Sequence, residues 1–168
     1  MSEVNKKRPS PNQPKRQDRL IQELDHDPYH AKAKLKTPAL CPDCGSVYLN
    51  GRWTWNAAPA GARSHICPAC QRIEDRVPAA FLTLRGDFWR GHKTEIMNMI
   101  HNYSEHERTE HPLKRIMNNE EQGGDLVFTL TDAHLARGIG EALHNAYEGE
   151  LSYEYTKEEI MLRVIWAR

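Results

Sequence analysis

Apolar residues recur with two different periods over residues 78–168, and together they predict a domain that mixes strands with helices. A period of two predicts strands over residues 81–85, 126–131, 151–155 and 160–166, with a short further strand at Ile116-Met117. A period of 3.6 predicts one helix over about residues 92–110 and another that Thr131 or Asp132 caps. The helical stripes are Ile96, Met99, Ile100 and Tyr103, then Leu135, Ile139, Leu143 and Tyr147. The order β-α-β-β-α-β with an extra C-terminal strand predicts an α+β fold, a ferredoxin-like sandwich whose helices cover one face of the sheet.

Residues 38–77 predict a smaller module built on a hairpin. Residues 47–49 and 52–55 have strand character, and Asn50-Gly51 between them is a strong hairpin turn. Trp53 and Trp55 are two residues apart, so we expect them on the same face of their strand.

Two interpretations of this aromatic face stay open. Small metal-stabilised modules need apolar cover, so Trp53 and Trp55 would form the module's core or pack on the next domain. Alternatively, one ring would stack on an unpaired base, with Arg52 and Arg63 on the flanking phosphates.

The candidate chemistry lies in four cysteines, which are the only ones in the chain. They form two Cys-x-x-Cys pairs, Cys41 with Cys44 and Cys67 with Cys70, of the kind that supplies a closed tetrahedral zinc site. Gly45 follows the first pair, where the turn favours a positive φ. The sequence therefore predicts a zinc ribbon with a structural Zn²⁺, because four thiolates leave no open position for a substrate.

Rival interpretations of the cysteines fit less well. Disulfides suit secreted proteins, but residues 1–8 lack the apolar run of a signal peptide. A thioredoxin-like dithiol needs one such pair, and a zinc deaminase needs a His-x-Glu motif that is not found ahead of Cys67. His65 is two residues from Cys67, and we interpret it as a neighbour of the site or a surface residue.

Catalytic patterns are missing from the sequence. His106 and His111 are five residues apart, which separates them around a helix and excludes the zincin motif. Phosphate-binding glycine loops and nucleophile elbows are also missing. We therefore expect a protein that is not an enzyme.

Charge is zero overall but unevenly spread. Residues 1–91 hold 15 Lys or Arg against nine Asp or Glu, a balance of +6, and residues 92–168 hold eight against 14, a balance of −6. This asymmetry favours a basic surface for a polyanion and an acidic one for solvent or a basic protein, although a basic tail folded over its own acidic domain would look the same. No apolar run approaches membrane-spanning length, so we expect a cytoplasmic protein without a membrane partner.

Residues 1–37 are predicted to be a flexible basic arm and linker. Residues 1–19 hold three prolines and little to bury, so we expect this part to be disordered when free. Such arms bind phosphate backbones in some proteins and are merely solvated in others. The cations of this segment are Lys6, Lys7, Arg8, Lys15, Arg16 and Arg19.

One protein family resembles this chain over roughly residues 38–150. The motifs are Cys41-Pro-Asp-Cys-Gly, Tyr48, Trp53, Cys67-Pro-Ala-Cys and Thr131-Asp-Ala-His-Leu-Ala, and they resemble the N-terminal zinc region of the archaeal and eukaryotic adaptor for export of the large ribosomal subunit. Small bacterial proteins of unassigned function also look similar, including at His26-Asp-Pro-Tyr and Glu110-His-Pro-Leu-Lys-Arg-Ile-Met. The resemblance implies that the four cysteines are zinc ligands and that the zinc region contacts a ribosomal subunit.

Together these features predict a zinc-binding protein that binds structured RNA, most plausibly on the ribosome. The predicted contacts are the six cations of the arm with Arg52, Trp53, Trp55 and Arg63. The alternative is a protein-interaction adaptor or assembly factor, which would present the tryptophans or the acidic C-terminal domain to a protein partner.

Overall fold

The computed structural model describes residues 27–29, 35–156 and 161–168. All six predicted contact residues of the basic arm lie outside this part of the chain. The α+β fold class is confirmed, since the described chain forms helices and two sheets.

A small four-stranded sheet carries the cysteines. Its elements are β1 (Ala39–Leu40), β2 (Val47–Leu49), β3 (Arg52–Thr54), β4 (Arg63–Ser64) and the helix α1 (Pro68–Asp75). The strands lie in the order β3-β2-β1-β4, with β1 and β4 parallel and the other pairs antiparallel. The predicted hairpin turn is confirmed: Asn50 and Gly51 both have positive φ, 50° and 85°, as a type I′ turn requires.

A five-stranded sheet and three helices form the rest of the described chain. Their bounds are β5 (Ala80–Arg85), α2 (Phe88–Gly91), α3 (Lys93–Glu110), β6 (Ile116–Gln122), β7 (Asp125–Leu130), α4 (Ala133–Tyr147), β8 (Glu150–Thr156) and β9 (Met161–Ala167). The element order agrees with the prediction. The β6 strand continues five residues past the predicted Ile116-Met117, because an edge strand can carry polar residues that give no apolar signal.

The large sheet differs from a plain ferredoxin-like sheet in the place of its last strand. The strand order is β6-β7-β5-β9-β8, and β9 pairs with β5 in parallel. In a four-stranded ferredoxin-like sheet, the strand after the second helix lies beside the first strand. Here β9 takes that central place and β8 lies at the edge, which puts the more apolar strand, with Leu162, Val164 and Trp166, in the core.

The main core lies between this sheet and the helices. Leu82, Phe128 and Val164 from three neighbouring strands are fully buried, together with Ile100 of α3 and Ile139 of α4. Both predicted helical stripes face this core, since Ile96, Leu135 and Leu143 are buried and Met99, Tyr103 and Tyr147 pack against it. Asp132 caps α4 by accepting a hydrogen bond from the backbone N–H of Leu135 at 2.8 Å. None of the helices in the described part of the chain combines the length and the hydropathy that a membrane crossing requires.

Candidate metal centre

The fold brings all four cysteines to one point. Their Sγ atoms lie within 4.8 Å of one another, and Cys44 and Cys67 are 3.7 Å apart. Zinc–sulfur bonds of about 2.3 Å in a tetrahedron would place neighbouring sulfurs about 3.8 Å apart. The four thiols therefore form a cluster that can hold one tetrahedral metal ion.

A tight turn positions the first pair. Gly45 donates its N–H to the Cys41 carbonyl at 3.0 Å, and Cys41 donates its own N–H to the Ser46 carbonyl at 2.8 Å. Gly45 has a φ of 78°, which explains the glycine at this position. The turn closes directly into β2, so the hairpin holds both thiols in place.

The second pair lies at the start of a helix rather than in a second turn. Cys67 is the N-cap of α1, Pro68 is its first residue, and the Cys67 sulfur accepts a hydrogen bond from the Cys70 N–H at 3.4 Å. A helix N-terminus carries partial positive charge and so stabilises thiolates. The site therefore combines a turn, a hairpin and a helix N-terminus.

Further donors surround the sulfurs. The Cys67 N–H donates to the Cys41 sulfur at 3.3 Å, and the Ser46 hydroxyl lies 3.1 Å from the Cys44 sulfur. Cys41, Cys67 and Cys70 are buried, and Cys44 is half-buried. A mostly buried sulfur cluster with donors directed at it suits thiolate ligands of a metal and leaves little access for a substrate.

Arg115 is the residue at this site that sequence analysis missed. It is 9% exposed, and its guanidinium donates to the sulfurs of Cys70 and Cys67 at 3.2 and 3.5 Å. It lies between α3 and β6, 45 residues beyond Cys70. Its neighbour Leu113 also packs against the cysteines, so the four-cysteine cluster contacts the part of the chain that forms the large sheet.

The pKa shifts follow from burial and from these donors. Burial acts to raise the pKa of the Cys44 thiol, but hydrogen bonds with Ser46 and the charge of Arg115 outweigh it and lower the pKa to about 6. Burial raises the pKa of the Cys67 and Cys70 thiols. It acts to lower the pKa of Arg115, yet hydrogen bonds with the cysteine sulfurs raise that pKa above its ordinary value. Arg115 thus stays charged beside the thiols.

Both tryptophans of the module pack within the protein, Trp53 inside the module and Trp55 against α3. Trp53 packs against the cysteine cluster and lies 5.4 Å from the Tyr48 ring and 6.5 Å from the His65 ring. Trp55 donates its indole N–H to the Arg108 carbonyl of α3 at 2.6 Å, and the Arg108 guanidinium lies 5.6 Å from its ring. These contacts favour the packing interpretation of the two rings. His65 is exposed and is not part of the sulfur cluster.

The two predicted arginines of the module are exposed. Arg52 begins β3 at one edge of the small sheet, and Arg63 begins β4 at the opposite edge. Neither forms a salt bridge with another described residue. The fold therefore places them on either side of the module and does not bring them together.

Residues 27–29 lie against α1 of the module. The Tyr29 hydroxyl donates to the Asp75 carboxylate at 2.8 Å, and the Arg72 guanidinium lies 4.4 Å from the Tyr29 ring. Arg72 also forms an ion pair with Asp27. The described stretch ahead of the first cysteine thus packs on the module rather than leading away from it.

No family model, curated protein or solved structure matches this chain. The resemblance to the ribosomal export adaptor therefore stays a prediction.

Proposed function

We propose that the four cysteines hold one structural Zn²⁺ and that the protein acts by binding rather than by catalysis. The convergence of four sulfurs within 4.8 Å is the observation that carries this proposal. An all-thiolate set is the usual ligand set of closed structural zinc sites. Zinc would replace the repulsion among the buried thiolates with four bonds, and so would hold the turn, the hairpin and α1 together.

We further propose that the module, with the basic arm, binds structured RNA in the cytoplasm and that this RNA belongs to the ribosome. Arg52 and Arg63 support this proposal because both are exposed and carry no carboxylate partner among the described residues. Cations in this state are ready to neutralise phosphates and release counterions. The tryptophans contribute less to the proposed contact, since Trp55 is already hydrogen-bonded within the protein.

A protein partner is the second candidate, and one surface favours it. Tyr153 and Tyr155 on the edge strand β8 are 43% and 36% exposed, in the half of the chain that carries the acidic excess. Exposed aromatic residues are enriched at protein interfaces. The acidic excess of this half of the chain would suit a basic protein rather than RNA.

Gradient fractionation of cell lysate at low and high salt tests the RNA proposal. We expect the full chain to migrate with ribosomal subunits at low salt and to be released by high salt or by nuclease. In a binding assay, the logarithm of the binding constant should fall less steeply with the logarithm of the salt concentration in the double variant Arg52→Gln, Arg63→Gln. We expect the slope to change by about 0.7 for each lost phosphate contact. Arg137→Gln on α4 is the matched control and should leave the slope unchanged.

Two results would decide against RNA. A full chain that shows no nucleic-acid affinity at low salt contradicts the proposal outright. Migration in a complex that resists nuclease but is lost on Tyr153→Ala would instead support the protein partner.

A further inference from the structure

The strongest unexplained feature is a buried cation whose charge partners are sulfurs. Each of the three nitrogens of the Arg115 guanidinium donates a hydrogen bond: Cys70 and Cys67 accept from the two terminal nitrogens, and the Pro112 carbonyl accepts from Nε at 2.9 Å. Arg115 forms no ion pair with any carboxylate of the described residues. A buried guanidinium is costly without acceptors, so the contacts with the two sulfurs and the Pro112 carbonyl are what makes this position tolerable.

The backbone of Arg115 is fixed to the end of β7. Its N–H donates to the Thr131 hydroxyl at 2.8 Å, and the Thr131 N–H donates to the Arg115 carbonyl at 3.0 Å. The same hydroxyl donates to the Leu113 carbonyl at 2.6 Å. The guanidinium is therefore presented by the large sheet, not by the module that carries the cysteines.

The charge of Arg115, on the large-sheet domain, complements the charge expected at the metal site of the module. Four thiolates around one Zn²⁺ carry roughly two negative charges in excess. Arg115 offsets part of that excess inside a buried site, where it also orients the Cys67 and Cys70 sulfurs.

We propose that Arg115 is a positioning residue of the metal centre, so that metal binding and the docking of the module (residues 38–77) on the large-sheet domain are one coupled event. This inference rests on the proposed zinc site. Coupling of this kind is reciprocal: if docking strengthens metal binding, the metal strengthens docking by the same factor. Arg108, whose backbone carbonyl accepts a hydrogen bond from the Trp55 indole N–H, would belong to the same interface.

Metal affinity of full-chain variants is the direct test. Zinc release to a chromogenic chelator would be compared for the wild type, Arg115→Met, Arg115→Lys and Arg137→Met. Residues that orient metal ligands contribute about 10- to 100-fold to metal affinity, so Arg115→Met should lose about that factor. Arg115→Lys keeps the charge but not the contact through two nitrogens, so its zinc affinity should lie between those of the wild type and Arg115→Met. Arg137 pairs with Glu141 on α4, so Arg137→Met should match the wild type.

A second readout separates coupling from a purely structural role. We expect Arg115→Met to lower the melting temperature of the zinc-loaded protein more than that of the metal-stripped protein, because the proposed role of Arg115 is to hold the Cys67 and Cys70 sulfurs in place around the metal. Equal lowering in both states, with zinc affinity unchanged, would overturn the inference. A wild type that binds no zinc would overturn the metal centre itself, and with it the coupling.

If Arg115→Met does not fold, amide hydrogen exchange of the wild type, measured with and without zinc, tests the coupling instead. Stripping zinc should raise exchange at the Arg115 and Thr131 amides, which lie in the large-sheet domain. Faster exchange confined to residues 38–77 would show that the metal stabilises the module alone, and would refute the coupling.

Discussion

The Thr131 hydroxyl is the smallest group on which the contact between Arg115 and the cysteines depends. Thr131 is 7% exposed, and its Oγ1 accepts from the Arg115 N–H at 2.8 Å and donates to the Leu113 carbonyl at 2.6 Å. Thr131→Val keeps the shape of the side chain and its strand propensity while removing both hydrogen bonds. The N–H of Arg115 is then left buried without an acceptor.

The expected cost follows from that unsatisfied group. A buried polar group that loses its partner costs about 1–3 kcal/mol, more than the net value of an ordinary hydrogen bond. We therefore expect Thr131→Val to lower the free energy of unfolding of the zinc-loaded protein by about 1–3 kcal/mol. We also expect weaker zinc binding, since Arg115 would lose the contact that fixes its backbone.

Chemical denaturation with excess zinc measures this difference, and the chain offers a matched control. Thr129 lies two residues earlier, in β7, and makes no hydrogen bond through its hydroxyl to any described residue, so Thr129→Val should change the stability by less than about 0.5 kcal/mol. If Thr131→Val is no more destabilising than Thr129→Val, the Thr131 hydroxyl does not support Arg115 and the reasoning fails.

Three further substitutions test separate contacts. Trp55→Phe loses the 2.6 Å hydrogen bond to the Arg108 carbonyl and should lower the free energy of unfolding by about 0.5–1.5 kcal/mol; no change would contradict that contact. Asp132→Ala removes the cap of α4 and should cost about 1 kcal/mol in the same assay, whereas Asp132→Asn, which keeps an acceptor, should cost less. Lys114 donates to Glu107 at 2.6 Å and lowers the pKa of that carboxyl, so its stabilising effect is complete above the ordinary glutamate pKa and is lost as the pH falls through the lowered value. Glu107→Gln should therefore lower the melting temperature more at neutral pH than at an acidic pH below the lowered pKa of Glu107, and an equal loss at both would contradict this.

Local patterns predicted the hairpin of the module and the strands and two long helices of the larger domain because each carries its own signal, whereas β1, β4, α1 and α2 were not predicted. The hairpin turn at Asn50-Gly51 needs positive φ, and the α4 stripe through Leu135 and Ile139 follows the helical period. The spacing of the two cysteine pairs predicted that the four sulfurs would lie together. Pro68 directly after Cys67 was an available signal for the start of α1, since proline is favoured at the first position of a helix.

The remaining features depend on contacts between distant residues. Arg115 is a single arginine 45 residues beyond Cys70. Neither the hydrophobic pattern around it nor its neighbours in the sequence distinguish it from a surface residue. The insertion of β9 between β5 and β8 depends on which strand buries more apolar area, which strand periodicity alone does not reveal. The contact of Trp55 with Arg108 likewise exists only once the module is docked.

The metal content of freshly purified, full-length protein tests the central claim most directly. Elemental analysis after gel filtration should find one zinc per chain in the wild type and little or none in Cys41→Ser, which removes one of the four converging sulfurs. A wild-type chain without metal, or a Cys41→Ser chain that retains zinc with unchanged affinity, would contradict the account.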